Sequence, residues 1–125
     1  MSCHQDHSQN GILHEIRLEW TAEADGSFIA AWSSWAVNGI VVGVKTKPGT
    51  PAPTNLYDIT LLALDGIDIM GGALANRSSA NTEFAAPLVG SDPWMMPVPG
   101  PVQLNIVNNI VNGAEGVVKI YYVAE

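Results

Sequence analysis

The chain has 125 residues, of which 47% are hydrophobic and only 14% charged, against roughly 25% charged in an ordinary soluble domain. That length suits a single domain with a core of its own, and the sparse charge leaves amides, hydroxyls and backbone to make the polar exterior, a surface suited to permanent contact with other chains. Twelve acids against five bases give a net charge of −7. The bases, Arg17, Lys45, Lys47, Arg77 and Lys119, form no run, so the expectation is no nucleic-acid partner, since that binding needs clustered positive charge.

Cys3 is the only cysteine, which rules out an intrachain disulfide. The start, Met1 to His7, lacks the basic residues and apolar run of a secretory signal. The longest apolar stretch, Ile40 to Val44, is far short of the roughly 18 residues that span a membrane. The expectation is a chain made in the cytoplasm with no membrane partner.

Residues 1–11 are polar and unpatterned and read as a flexible arm; residues 12–125 read as the folded domain. Ile12, His14, Ile16, Leu18 and Trp20 alternate with Glu15, Arg17 and Glu19, the period of a half-buried strand. Ala24 to Ser27 is a turn, and Phe28 to Trp35 a weaker strand that places at least one of Trp32 and Trp35 in the core. Asn38-Gly39 between apolar runs predicts a hairpin returning through Ile40 to Thr46. Pro48, Pro51 and Pro53 exclude a strand interior and make Lys47 to Asn55 a stiff connection.

Tyr57, Ile59 and Leu61 alternate with Asp58 and Thr60, and Asp65-Gly66 predicts a second hairpin into Ile67 to Met70, broken at Gly71-Gly72. Ala73 to Asn81 fits either a helical turn or a loop. Glu83 to Val89 reads as a short strand and Gly90 to Pro101 as an extended loop. Val102, Leu104 and Ile106 mark a further strand, Asn112-Gly113 a turn, and Val117 to Val123 the last strand. Seven or eight short strands at a spacing of about 8–12 residues, with no helical stripe, predict an all-β, single-domain antiparallel β-sandwich, jelly-roll-like in kind.

Chemistry-bearing motifs are sparse. His4 and His7 have ligand spacing, but no well-spaced third and fourth ligand accompanies them, so no metal site is assigned. Asp65, Asp68 and nearby Asp58 lack the alternation of a calcium loop, and Asp before Gly is ordinary turn chemistry. No nucleophile elbow or phosphate loop occurs, so no catalytic residue, no cofactor and no enzymatic activity is expected. Trp94, Met95 and Met96 between Pro93 and Pro97 form the most informative loop. Trp and Met are favoured at contact cores, and proline lowers the entropy lost on docking; the competing reading folds these side chains back over an open end of the sandwich.

Tyr57-Asp58-Ile59-Thr60-Leu61, then Asp65-Gly66-Ile67-Asp68-Ile69 and Gly71 to Arg77 after a Pro/Thr-rich loop, resemble small virion proteins of tailed bacteriophages. The likeness extends loosely from Ile16 to Val123, including Trp20-Thr21 and the aromatic pair Tyr121-Tyr122. It implies a structural protein of the virion, most like a capsid decoration (cement) protein that sits on the capsid surface and stabilises it by non-covalent contacts between capsid subunits. The implied partners are the major capsid protein or other virion proteins and further copies of the chain, as a dimer or trimer. A neck or tail component, or a glycan-binding module on the particle, is the alternative. The expected contact residues are Trp94, Met95, Met96 and Pro97, the prolines Pro48, Pro51 and Pro53, and His4 and His7 of the arm.

Overall fold

A computed structural model of the chain describes residues 2–124. It is all-β and antiparallel, with its strands divided between a large and a small sheet. β1 (Ser2–Asn10), β2 (Leu13–Thr21), β4 (Gly39–Pro48), β6 (Glu83–Ala85), β9 (Met96–Val98) and β11 (Glu115–Ala124) form the large sheet. Its order is β1-β2-β11-β4, with β6 and β9 each pairing a different stretch of β4. β3 (Ala31–Trp32), β10 (Gln103–Val107) and β5 (Asp58–Leu62) form the small sheet in the order β3-β10-β5, and β7 (Leu88–Val89) pairs only β8 (Asp92–Pro93).

The alternation read at Ile16 to Trp20, Tyr57 to Leu61 and Val102 to Ile106 places those apolar sets inside, and β11 adds a set of its own. Ile16, Leu18 and Trp20 of β2, Val118, Ile120 and Tyr122 of β11, Tyr57, Ile59 and Leu61 around β5, and Val102, Leu104 and Ile106 around β10 are all buried in one continuous core. Trp20 meets Tyr57 with ring centroids 5.9 Å apart, a contact that joins the two sheets. Gly116 is required beside it, since a Cβ there would lie 2.7 Å from the Trp20 indole nitrogen. β4 departs from the simple period. Its pairing with β11 shifts register between Tyr121 and Tyr122, so Val42 is an extra residue, and Val41 and Val44 are both fully buried although three apart.

Residues 2–10 are not a flexible arm. They form β1, paired along its length with β2, from Ser2 opposite Thr21 to Asn10 opposite Leu13. Gly11 and Ile12 make the two-residue turn, with Gly11 at φ +63° in the first central position, where a type II′ hairpin takes glycine. Ile12 is accordingly 77% exposed at the turn and does not begin the buried face. The ladder is reinforced from the side, because the Gln5 carboxamide donates to the Trp32 carbonyl (3.0 Å) and accepts from the Ser34 amide (2.6 Å). A strand at a sheet edge needs only one paired flank, so a polar sequence can fill it.

Asn38-Gly39 does not close a hairpin either. β3 pairs β10, whereas β4 pairs β11, β6 and β9, so the chain changes sheets at this point. Asn38, at φ +43°, accepts a hydrogen bond from the Gly100 amide (2.7 Å). Only two residues of the expected Phe28 to Trp35 strand are strand, and both tryptophans lie outside the core, Trp32 at 44% and Trp35 at 37% exposure. Asp65-Gly66 does reverse the chain: Ala63 donates to the Ile67 carbonyl, and Leu62 bridges Asp68. Ala73 to Asn81 is a run of turns and bends tied to Tyr57 by an isolated bridge at Arg77.

Candidate functional site

Gly90 to Pro101 is the most exposed apolar segment, and it is more ordered than a loop. β7 and β8 form a miniature hairpin turned at Gly90 (φ +64°), the Trp94 amide donates to the Pro87 carbonyl (2.8 Å), and β9 continues onto the N-terminal end of β4. Trp94 and Met95 project from this framework at 67% and 57% exposure, so they do not fold back over the sandwich; Val89 and Phe84 nearby are also exposed. Met96 turns the other way and packs against the core, while Pro97 sits exposed opposite Ile40 on the sheet edge.

Apolar depressions flank this segment. One of about 310 Å³ is lined by Val42, Ala86, Pro93, Trp94 and Met95. The other, about 200 Å³, lies beneath Met96, Pro97 and Pro99 against Leu64, Ile67 and Ile69. The result is an apolar projection at Trp94 and Met95 bordering the first hollow, followed by Met96 and Pro97 over the second, presented by hydrogen-bonded backbone. Contiguous exposed apolar surface of this kind marks contact with other macromolecules more often than scattered single residues do.

The remaining expected contact residues lie elsewhere. Pro48 ends β4 at the opposite extremity from β9, and it lies six strand positions from Val42 beside Trp94, roughly 20 Å. Pro53 is buried and only Pro51 is exposed. The connection is stitched down by Gly49 donating to the Glu115 carbonyl (2.7 Å) and Glu115 donating to the Pro51 carbonyl (2.8 Å). His4 and His7 are three apart on one strand and point to opposite faces. His4 lies on the outer face beside Asp6 (3.3 Å), whereas His7 meets His14 and Tyr122 on the inner face, each at 3.2 Å from its Nε2.

The carboxylates of the Asp58–Asp68 region are occupied with turns. Asp68 accepts from the Met70 and Gly72 amides, Asp65 from the Ile67 amide, and Asp58 from the Asn76 amide and the Asn108 side chain. Cys3 is half-buried on the inner face, and burial pushes its thiol up, away from the reactive thiolate. Among the described residues no three His, Cys, Asp or Glu side chains converge as a metal cluster.

The fold also gathers charges that the sequence scatters. Arg17, Lys119 and Lys45 stand directly opposite one another on three adjacent strands, with Asp6 at one end of the row. Lys47 and Glu19 belong to the neighbouring row. The Arg17 guanidinium is bonded to Glu19 (2.7 Å) and holds that carboxyl below its usual range, and the Lys45 ammonium sits over the Tyr121 ring at 5.8 Å. The small sheet's outer face is different in kind: Gln103, Asn105 and Thr60 share it with Trp32, Leu62, Val107 and the single carboxylate of Asp58. The chain matches no protein-family profile, no curated protein and no solved structure.

Proposed function

We propose that this chain is a structural protein of a tailed-bacteriophage particle, decorating the capsid and stabilising it by non-covalent contacts between capsid subunits. The observation that carries this reading is the Trp94–Met95 ridge, a large apolar group held out on hydrogen-bonded backbone beside an apolar hollow. Fully burying such a side chain stabilises a contact by about 1.5–3 kcal/mol, and holding it rigid beforehand removes much of the ordering cost. Copies arranged around a symmetry axis multiply a modest contact into lasting attachment. The low charge and the likeness of Tyr57–Leu61, Asp65–Ile69 and Gly71–Arg77 to phage virion proteins support the same reading.

The test is the double substitution Trp94→Ser, Met95→Ser in particles of the phage that encodes the chain. Both side chains are exposed, so the isolated protein keeps its fold and melting temperature, while its incorporation into particles falls at least about tenfold. Unchanged incorporation sinks the attachment role of the ridge. Copy counting by mass spectrometry places the protein: hundreds of copies mean the shell, and about six or twelve mean the neck or tail.

A further inference from the structure

His7 and His14 come from adjacent strands, diagonal neighbours two register positions apart on the inner face of the β1–β2 hairpin. His7 Nε2 lies 3.2 Å from His14 Nδ1. Each ring is held by an aromatic neighbour: His7 stacks on Trp35 (centroids 5.7 Å apart) and His14 on Tyr122 (5.0 Å). A metal–nitrogen distance of about 2.0–2.1 Å and a nitrogen–nitrogen span of 3.2 Å correspond to an angle of about 100° at the metal. That value is close to tetrahedral. Two imidazole nitrogens are therefore held apart by the bite that a single ion requires.

We propose that His7 and His14 are a two-nitrogen chelate for one divalent transition-metal ion of the Zn²⁺, Ni²⁺ or Cu²⁺ class, which imidazole ligands favour. In the liganding state both rings are neutral, with their protons on His7 Nδ1 and His14 Nε2, so the ion replaces the hydrogen bond between the rings. Water completes the coordination sphere. Tyr122 Oη, 3.2 Å from His7 Nε2, is placed to hydrogen-bond a bound water. His4 takes no part, being on the opposite face, and Cys3 lies four residues along the strand from His7, about 13 Å away. Because the two ligands belong to different strands, the ion fastens the edge strand β1 to β2 and stabilises the folded chain by mass action.

Titration calorimetry and thermal melting of the full chain with Zn²⁺ and with Ni²⁺ test this directly. The expected result is saturable binding of one ion per chain, with a melting temperature that climbs as the ion concentration is raised. His7→Gln and His14→Asn each weaken binding at least about tenfold, while His4→Gln and Cys3→Ser leave it unchanged. Cu²⁺ bound to the chain shows coupling to two nitrogens by electron paramagnetic resonance, reduced to one in either variant. If His14→Asn does not fold, His7→Gln at the sheet edge decides alone. The proposal is overturned by absence of saturable one-to-one binding, by binding that survives His7→Gln, or by binding that is lost in His4→Gln or Cys3→Ser.

Discussion

Asn109 does more for the loops than any other single polar residue. Buried at 8% exposure, its carboxamide oxygen accepts from the Thr54 amide (2.9 Å) and the Val111 amide (3.2 Å), and its nitrogen donates to the Gly26 carbonyl (2.8 Å). Asn109→Ala leaves the buried Gly26 carbonyl and two half-buried amides without this partner, and we expect a loss of about 1–3 kcal/mol in urea unfolding. Tyr57 gives a pH signature. Burial is the main cause that pushes its phenol up from 10.0 to about 12, and Arg77 opposes that shift only in part. The folded state thus holds this proton more tightly than the unfolded chain does. Its contribution is complete below about pH 10 and is lost as pH rises through about 12. Urea midpoints should therefore fall across that window more steeply in the wild type than in Tyr57→Phe; equal slopes would refute the assignment.

At the scale of elements, β1 matters because it covers β2. Without it, β2 becomes an edge carrying Ile16, Leu18 and Trp20 in a nine-residue strand with an unpaired flank, a form prone to self-association. Deleting residues 1–10 should lower the denaturation midpoint and give dimers or larger species on size exclusion. A truncated chain that stays monomeric with an unchanged midpoint would show that β1 is dispensable. The hairpin of β7 and β8 is the contrary case: it buries little and displays Trp94, so its side chains are available to partners without loss to the core.

Over the whole molecule, the two outer faces divide the labour of a weakly charged surface. The large sheet carries a row of three bases ended by an acid, the small sheet carries amides among apolar groups with one carboxylate, and the apolar projection lies beside β4 at one end. What the sequence alone determined is the all-β class, the buried sets of β2, β5 and β10 and the presence of β11, because side-chain alternation is a local property of a strand with one face in a core. The exposed Trp94 segment was singled out from its residues as well, though not the direction of Met96. Partners were not legible. Asn38-Gly39 and Asn10-Gly11 carry the same turn dipeptide, yet only the second lies in a hairpin, since a turn permits a reversal and long-range pairing chooses the neighbour. For the same reason only the tertiary structure could order a polar segment as β1, align Arg17, Lys119 and Lys45, and bring His7 to His14 while separating it from His4. Hydrogen bonds across strands set those distances, and they join residues that are remote along the chain.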